Sequence, residues 1–543
     1  WLGGQFHILL PFRISTVYIN WTYFRYEIYI NYKANFFRWV IRMPEKGMFF
    51  ALDLDRNVIG PLYQQLYDGL QQMILDGRLA PGSRLPANRV LARNLKLSRN
   101  TVATALQQLL AEGYVVTRQG DGTYVAPELP EKSSEAGRAE GSASNAYTFR
   151  DDPARQYGLS RRGRDLAAVS RPPTGSVGAF SMGPDIGAFP FNIWSRLLGR
   201  TWRRPARELT VNQDTGGYPP LKTAIATYLG AMRSVRCEPD QIIVVGSAQQ
   251  AISLASQVLL DHGDQVMVEE PGYGGIRGAL TAAGLRLALA PVDDEGLDIT
   301  AGEARAPLAR MVCVAPSHQY PLGVVMSLGR RLALIEWARR RQAWILEDDY
   351  DSEYRYAGRP LASMQGLDTT GRVIYVGNYS KVLFPSLQLG YLVVPTNLVD
   401  PFLATLRVQD DQTAITAQPV LAEFIADGHF ATHVWRMRRL YAARQEALLD
   451  MAKRELDGLF RIDPDEAGMH LIAWPGAGLP GTMDDGVLAQ EASNAGILAL
   501  PLSGSYAGRA DRRGLMLGYA AHNEDAITVA AKRLARVIKT SLR

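Results

Sequence analysis

In the stretch Trp344-Ile345-Leu346-Glu347-Asp348-Asp349-Tyr350-Asp351, three apolar residues lead directly into four carboxylates and a phenol. The apolar triplet is typical of a buried strand. So much acid at a strand end is costly unless a cation or a protonated nitrogen pairs with it. A divalent metal ion could be that partner, but no spacing of His and Asp residues supports a metal site. The stretch therefore predicts a functional site at the end of a strand.

Similar apolar runs recur along residues 176–543 and alternate with helical stretches. The other predicted strands are Ile242–Val245, Gln265–Val268, Met311–Ala315, Val373–Val376 and Leu389–Val394. Leu254–Leu260 and Leu332–Arg341 are two of the predicted helices. This alternation predicts a large α/β domain with a mainly parallel sheet and helices on both faces. Ligands of such sheets bind at the carboxyl ends of the strands.

Polar residues follow several of these strands. Ser247-Ala248-Gln249 opens a helix, whose free amides and positive dipole end suit a phosphate group. Tyr273 can stack on a planar ring, and His318 and Gln319 offer two polar side chains. A partly desolvated Lys381 can act as an amine nucleophile. Each of these features also has an ordinary structural explanation. The segment at Ser247 can be a common strand-to-helix turn, and Tyr273 can be a packed core tyrosine. His318 can be a structural histidine, and Lys381 a surface lysine.

Residues 52–126 predict a small domain with three helices followed by a β-hairpin. Apolar residues recur with a helical period from Leu62 to Ile74, and Ser98 can cap a third helix whose inner face begins at Val102. Two alternating segments flank residues 119–122 and predict the hairpin. This order of elements is that of a winged helix-turn-helix domain.

The same region is basic, since residues 77–111 contain six cations and no acid. The six are Arg78, Arg84, Arg89, Arg93, Lys96 and Arg99. Uncompensated cations attract phosphate through counterion release, so double-stranded DNA is the predicted partner. Arg99 lies in the first turn of the candidate recognition helix, where a guanidinium can pair with guanine, and Thr101 can contact a phosphate or a thymine methyl. The alternative is a solvated basic face on an ordinary helical domain.

Motifs along the whole small domain resemble the GntR-type winged helix. They are Arg84–Pro86, Arg89–Ala92, Leu97–Val102, Leu109–Tyr114 and Gly120–Val125. The resemblance implies that Arg89 and Arg99 touch DNA, with Thr101 nearby and Gly120 at the tip of the wing. The departures from the family pattern are Ala87 and Asn88 for small hydroxyl residues, Lys96 for glycine and Leu106 for tyrosine.

From about Phe180 to the C-terminus, the residues that follow the predicted strands together resemble those of a fold-type-I pyridoxal-phosphate (PLP) domain, similar to class I and II aminotransferases. The resemblance implies that Lys381 forms the Schiff base with PLP and that Asp348 pairs with the protonated pyridine nitrogen. It places Tyr350 with His318 and Gln319 near the ring hydroxyl. The remaining implied cofactor-binding residues are Tyr273 stacked on the ring, Ser247, Ala248 and Gln249 at the phosphate, and Ser380 beside the lysine.

Four positions depart from that family's pattern. They are Gln388 for a phosphate-binding arginine, Met516 for a carboxylate-binding arginine, Asn378 for a hydroxyl residue, and Asn212 for a tyrosine that reaches in from the partner subunit. Loss of a charge-assisted bidentate pair costs about 1.5–3 kcal/mol, so affinity for cofactor and for amino acids should both fall. Arg277 or Arg436 are arginines that could compensate.

The domain plan joins these parts. Residues 1–51 are interpreted as an N-terminal extension outside the fold, 52–126 as the DNA-binding domain, 127–175 as a linker and 176–543 as the PLP-binding domain. This plan resembles that of the MocR/GabR-type regulators, which implies a homodimeric, PLP-responsive transcriptional regulator with a small amine or amino-acid effector. Two alternatives stay open: a PLP-dependent aminotransferase with an accessory DNA-binding domain, and a regulator whose large domain no longer binds PLP.

Composition is consistent with that plan. The 543 residues are 47% apolar and 21% charged, which is globular and excludes wholesale disorder. Two cysteines cannot build a disulfide framework, so a cytoplasmic location is expected. No apolar run is long enough to predict a membrane-spanning helix. The net charge of +5 is mild, and any nucleic-acid signal must come from local clustering.

Overall fold

Two units, residues 1–151 and 152–543, make up the chain in the computed structural model. The structure describes residues 16–22, 25–32, 35–41, 61–118, 120–129, 159–169, 178–211, 215–358, 361–480 and 483–541. Within these residues, no helix is long and apolar enough to cross a membrane.

The first unit begins with a small antiparallel sheet of three strands, β1 (Thr16–Thr22), β2 (Arg25–Tyr32) and β3 (Asn35–Ile41). These strands pair with one another and with no other described strand. The sequence showed no sustained period between Tyr18 and Trp39 and did not predict them. The boundary of the extension at residue 51 stays a prediction.

The small helical domain follows the predicted order of elements. Its members are α1 (Leu62–Leu75), α2 (Asn88–Asn94), α3 (Arg99–Ala111), β4 (Val115–Arg118) and β5 (Gly122–Val125). Ser98 Oγ accepts a hydrogen bond from Thr101 N at 3.0 Å, which caps α3 as expected. Leu66, Leu91 and Val102 are fully buried in one cluster that holds the three helices together.

An eight-stranded sheet forms the centre of the second unit. Its strands are β6 (Ile242–Val245), β7 (Gln265–Glu270), β8 (Arg286–Asp293), β9 (Gly296–Leu297), β10 (Ala309–Val314), β11 (Trp344–Asp349), β12 (Val373–Asn378) and β13 (Gly390–Val393). They are ordered β6-β13-β12-β11-β10-β7-β8-β9. Strands β8, β7, β10, β11 and β12 run parallel, whereas β13 is antiparallel to both of its neighbours. The predicted mainly parallel sheet is confirmed.

Helices cover both faces of this sheet. Two adjacent residues of β11 pack against helices on opposite faces. Leu346 belongs to one buried apolar cluster and Ile345 to another, because successive side chains of a strand point to opposite faces. The helices before and between these strands are α4 (Arg161–Val169), α5 (Phe191–Arg203), α6 (Pro219–Arg233), α7 (Ala248–Leu259), α8 (Gly274–Ala282), α9 (Ile299–Arg305), α10 (Leu328–Arg341), α11 (Met364–Leu367) and α12 (Tyr379–Val382).

A second, antiparallel sheet lies in the C-terminal part of the same unit. Its strands are β14 (Phe460–Ile462), β15 (His470–Pro475), β16 (Leu500–Pro501) and β17 (Leu515–Gly518), in the order β14-β15-β17-β16. The accompanying helices are α13 (Val399–Asp410), α14 (Gln418–Ala426), α15 (His429–Met451), α16 (Asp485–Asn494) and α17 (Glu524–Ser541).

The predicted linker, residues 127–175, contains one element that the sequence did not predict. Helix α4 begins after Ser160, whose hydroxyl accepts a hydrogen bond from Gly163 N at 2.9 Å, and it lies beside α8. Residues 130–158 and 170–177 of the linker lie outside the described residues.

Candidate functional site

The carboxyl ends of β11 and β12 bring the acidic stretch and the lysine together. Asp348 and Asp349 are in register with Val376 and Gly377 of the neighbouring strand. Lys381 follows four residues after Gly377, in the single turn of α12. The two groups interact electrostatically: Asp348 opposes the effect of burial, which lowers the pKa of the Lys381 amine below the usual value for a lysine.

Three of the four carboxylates have partners. Glu347 accepts the backbone N–H groups of Met364 and Gln365, each at 2.9 Å. Asp349 Oδ2 accepts the Arg233 Nε–H at 2.8 Å, and Asp351 Oδ2 lies 2.9 Å from Nδ1 of His318. The cost of an acidic strand end is therefore largely offset within the protein, by a buried arginine, a histidine and backbone amides.

Asp348 is the exception. Its side chain is 6% exposed, and Oδ1 is buried without a hydrogen-bond donor among the described residues. Burial, then Asp349 and Asp351, raise its pKa to about 7. A buried acceptor of this kind is unfavourable unless a ligand supplies a donor. It fits the protonated ring nitrogen of the predicted cofactor.

His318 is held between two carboxylates and the phenol of Tyr350. Nδ1 lies 2.9 Å from Asp351 Oδ2 and 3.0 Å from the Tyr350 hydroxyl, and Nε2 lies 3.2 Å from Asp465 Oδ2. Burial alone would lower the pKa of His318, but Asp351 and Asp465 outweigh it and raise the pKa to about 10. The sequence did not predict Asp465, because nothing in its local pattern points to a partner 147 residues earlier.

Gln319 faces away from its neighbour His318. Its amide Nε2 donates to Pro271 O at 2.9 Å and lies 3.3 Å from Glu269 Oε2. Leu322 N donates to its Oε1 at 3.1 Å. The structure therefore brings His318, rather than Gln319, to the Tyr350 hydroxyl. Gln319 instead donates a hydrogen bond to the turn that precedes Tyr273.

Tyr273 precedes α8 and is 42% exposed, so part of the residue is accessible to a ligand. Its ring contacts Tyr320 edge-to-face, with 5.7 Å between the ring centroids. Gly275 leaves room for this arrangement, since a Cβ there would collide with the Tyr273 ring and with Gln249 Nε2. Gln249 and Tyr273 thus lie close together, as both predicted roles require.

The first turn of α7 forms the other end of the site. Ser247 caps the helix by accepting a hydrogen bond from Gln250 N at 3.2 Å, and the amides of Ala248 and Gln249 have no partner one turn earlier in the helix. Gly390 packs against this turn, because a Cβ there would lie 3.4 Å from the Ser247 carbonyl carbon. These amides fit a phosphate.

Positions where the family pattern is broken lie around the same site. Gln388 adopts a positive φ of 49°, and its carbonyl oxygen would be 3.9 Å from a Cβ on Gly246. Its side chain donates to Pro385 O at 2.9 Å. Asn378 accepts a hydrogen bond from Ser380 N at 2.9 Å, whereas the hydroxyl of Ser380 is buried and has no partner among the described residues.

Met516, the position near the C-terminus that differs from the family pattern, is buried. Met516 is 2% exposed and packs with Ile472 and Leu502 in a small apolar cluster that also touches Tyr320. Of the two arginines that the sequence offers as possible replacements, Arg277 donates from Nη1 to the carbonyls of Gly272 and Ser505 at 2.9 and 2.6 Å. The other, Arg436, donates to Ala188 O instead. Asn212 lies outside the described residues.

The small domain presents its predicted DNA-binding residues at the surface. Arg89 and Arg99 are exposed at the starts of α2 and α3, and Gly120 is exposed in the hairpin turn with a φ of 78°. Thr101 is half-buried, and its hydroxyl lies 2.8 Å from Ser98 Oγ, so part of its hydrogen-bonding capacity is used by the cap.

Carboxylates neutralise part of the positive charge of residues 77–111, whereas the sequence indicated that these cations were uncompensated. Arg78 pairs with Asp76 at 2.7 Å, and Arg84 with Asp121 at 3.5 Å, both acids lying outside residues 77–111. Arg99 has no carboxylate partner within the described part of the chain.

The structure also contains no group of three or more His, Cys, Asp or Glu side chains arranged for a metal ion among the residues that it describes.

Comparisons with known proteins match both parts of the chain. The family description "Bacterial regulatory proteins, gntR family" matches residues 62–125, and "Aminotransferase class I and II" matches residues 201–534. The chain is 42% identical over 471 residues to the probable rhizopine catabolism regulatory protein MocR of Rhizobium meliloti, across 86% of this chain and 92% of that protein.

Two further similarities extend the comparison. The HTH-type pyridoxine biosynthesis transcriptional regulator PdxR of Corynebacterium glutamicum is 31% identical over 469 residues, 85% of this chain and 93% of that protein. Among solved structures, kynurenine aminotransferase of Pyrococcus horikoshii with PMP is 26% identical, with a TM-score of 0.62 over 73% of this chain and 98% of that chain.

Proposed function

Because the chain belongs to the MocR family of GntR-type regulators with an aminotransferase-like domain, we propose that it controls transcription in response to PLP and an amine ligand. The regulator reading is supported over the enzyme alternative, since the relatives that match along most of the chain are MocR-, PdxR- and TauR-type regulators. The GntR-type domain supports DNA binding.

One observation carries the cofactor proposal: the buried carboxylate of Asp348, which has no hydrogen-bond donor in the described part of the chain, lies beside the desolvated amine of Lys381. PLP bound there supplies an aldehyde that reacts reversibly with amines. Asp348 would accept the ring N–H, and Lys381 would provide the amine that holds the cofactor. Tyr350 would offer its hydroxyl to the cofactor, and Tyr273 would offer its aromatic ring.

The phosphate end of the site is proposed at the first turn of α7. The amides of Ala248 and Gln249 would donate to phosphate oxygens, and Ser247 orients the turn by capping the helix. Gln388 brings no charge to this end, so the phosphate relies on amides and the helix dipole. We therefore propose a cofactor that binds more weakly than in relatives with an arginine there.

Regulation is proposed to follow from competition at Lys381. A small amine that displaced Lys381 from the bound cofactor would leave the Lys381 amine free inside a buried site and would redistribute the conformations of the large domain. In a homodimer, this redistribution alters the spacing of two DNA-binding domains, which must match two half-sites. With Met516 buried among apolar residues, a carboxylate on the effector gains no guanidinium from that position.

The test is a titration of the full chain with PLP, monitored by visible absorbance, followed by borohydride reduction and peptide mapping. We expect a pyridoxyl adduct at Lys381 that is absent in Lys381→Ala and unchanged in the control Lys453→Ala, an exposed lysine. Identical spectra for wild type and Lys381→Ala would favour the regulator that no longer binds PLP.

A second measurement addresses DNA. Gel shifts on the DNA upstream of the gene for this protein, with and without PLP, should show a cofactor-dependent change in affinity or mobility. Steady transfer of amino groups to a keto acid, with DNA binding indifferent to PLP, would instead favour the aminotransferase alternative.

A further inference from the structure

The helical turn that carries Lys381 is too short to be stable by itself. Helix α12 contains only the four residues Tyr379–Val382, and a single turn fixes several backbone dihedrals in return for very few hydrogen bonds. At its start, Asn378 caps the turn by accepting a hydrogen bond from Ser380 N at 2.9 Å. The position of the Lys381 amine therefore depends on what holds the other end of the turn.

Two buried side chains hold that end through one group, the backbone carbonyl of Val382. The Tyr354 hydroxyl donates to this carbonyl at 2.5 Å, and His433 forms a second hydrogen bond to the backbone of the same residue. A carbonyl oxygen has two lone pairs and can accept both donors. The last carbonyls of a helix have no partner within the helix, so these side chains supply bonds that the turn cannot make for itself.

Tyr354 has a fixed position, because its ring and its backbone are both held. It is fully buried, and its ring meets that of Tyr441 edge-to-face with 4.9 Å between the centroids. Its N–H donates to Asp351 O at 2.9 Å, and its carbonyl accepts a hydrogen bond from Gly468 N at 3.0 Å. The first bond joins Tyr354 to the acidic segment after β11, and the second joins it to the connection before β15. Its hydroxyl thus links both regions to the lysine turn.

His433 approaches Val382 from α15. It is 4% exposed, and its ring contacts that of Phe189 with 5.5 Å between the centroids. Burial, and then Arg436, lower the pKa of His433 to about 4, so near neutral pH the ring is uncharged and has one N–H to donate. Its Nδ1 is buried without a partner among the described residues, which leaves Nε2 as the nitrogen that bonds to Val382.

We propose that Tyr354 and His433 are positioning residues for Lys381: by holding the Val382 carbonyl, they keep the lysine amine at the proposed cofactor site. Both act through the backbone of the residue that follows the lysine. The inference rests on the proposed function for the role of that site, but the contacts that carry it belong to the protein alone. Removal of either donor leaves a buried acceptor with one bond fewer and lets the turn move.

The first test uses the full chain without PLP. Amines are labelled with acetic anhydride over a range of pH, and peptide mapping follows Lys381 and, as an internal reference, the exposed Lys453. In wild type, burial outweighs two neighbouring carboxylates and lowers the pKa of the Lys381 amine. In Tyr354→Phe and in His433→Phe, we expect the labelling midpoint of Lys381 to rise by about half a pH unit or more, because a looser turn admits water to the amine.

The second test adds PLP to the same variants and follows visible absorbance, then borohydride reduction and peptide mapping. We expect the pyridoxyl adduct to remain at Lys381 in Tyr354→Phe and His433→Phe, with the dissociation constant for PLP raised roughly fivefold or more, because the amine is no longer held in place. The control is Tyr519→Phe, which removes another fully buried hydroxyl that donates to a backbone carbonyl, that of Gly468, at 3.0 Å. It should leave both measurements as in wild type.

Melting curves accompany every variant. A lower melting temperature with an unchanged labelling midpoint and dissociation constant in both Tyr354→Phe and His433→Phe would show that these residues only stabilise the fold, and would overturn the proposal. Equal changes in Tyr519→Phe would overturn it as well, because the loss of any buried hydroxyl would then suffice. A change in one variant alone assigns the role to that residue and removes it from the other.

Failure of this proposal and failure of the proposed function are distinguishable. If wild type gives no pyridoxyl adduct at Lys381, the proposed function is wrong, whereas the labelling midpoints of the PLP-free variants still decide whether the turn is held as proposed. If wild type gives the adduct and the variants match it in both tests, only the positioning role is wrong. If Tyr354→Phe does not fold, His433→Phe decides the outcome by the same two measurements.

Discussion

Asp465 Oδ2 lies 3.2 Å from Nε2 of His318, although 147 residues separate them in the chain. Asp465 stands in the connection between β14 and β15, whereas His318 follows β10 of the main sheet. The contact joins the C-terminal sheet to the carboxyl edge of the main sheet, where Tyr350 and Lys381 lie.

Replacement of Asp465 by asparagine should destabilise the protein in a pH-dependent way. The carboxylate helps to raise the pKa of His318 from 6.5 to about 10, so its stabilisation is fully present below about pH 6.5 and is lost as the pH rises towards 10. We expect Asp465→Asn to lower the free energy of unfolding by about 1–3 kcal/mol at pH 6. Urea denaturation at several pH values measures this.

Asp463→Asn is the matched control, because Asp463 is exposed in the same connection and pairs with Arg461. A deficit in Asp465→Asn that stays constant from pH 6 to pH 10, or an equal deficit in the control, would contradict the coupling to His318.

Glu269→Gln should stabilise the protein increasingly as the pH rises. Burial raises the pKa of Glu269 from 4.5 to about 8, so the folded state binds a proton that the unfolded state releases, and stability falls between these values. Ala315 N and Gln319 Nε2 donate to different oxygens of Glu269, so glutamine keeps an acceptor for only one of them, and this loss is a constant offset that does not vary with pH. The gain should grow by about 1.4 kcal/mol per pH unit within that window.

Thermal and urea melts between pH 5 and pH 8 measure this difference. The exposed Glu446→Gln serves as the control and should show a flat difference from wild type. A gain for Glu269→Gln that does not grow with pH would mean that the carboxyl group ionises normally.

Arg99→Ala should weaken specific binding to operator DNA by tenfold or more, because it removes a guanidinium at the start of α3 that pairs with no carboxylate of the described segments. Arg78→Ala is the control, since Arg78 is already paired with Asp76 and should change affinity little. Gel shifts over a range of salt concentrations measure both effects. Equal losses for the two variants would show that α3 does not read the DNA.

Gln388→Arg should tighten PLP binding about tenfold, because a guanidinium near the first turn of α7 adds a charge-assisted bond to the phosphate. Fluorescence or absorbance titration with PLP gives the dissociation constant. Gln490→Arg, on the exposed side of α16, is the control for added charge. An unchanged dissociation constant for Gln388→Arg would place the phosphate elsewhere.

Local patterns predicted much of the fold. The run Ile242–Val245 is a strand with the predicted bounds, and Ser98 caps α3 as expected, because strand burial and helix capping depend on adjacent residues. The strands within residues 16–41 and helix α4 were not predicted, since neither segment carries a defensible period.

The amino-acid sequence alone determined the two-domain plan, the mainly parallel sheet and the residue types at the strand ends, since these follow from periodicity and adjacent motifs. The tertiary structure selects which strand-end acid lacks a donor: Arg233, 116 residues before Asp349, pairs with that carboxylate, and Asp348 has no hydrogen-bond donor among the described residues. It also turned Gln319 towards Pro271 and brought Asp465 to His318. Such pairings depend on the path of the whole chain, which brings distant residues within hydrogen-bond distance without leaving a local pattern.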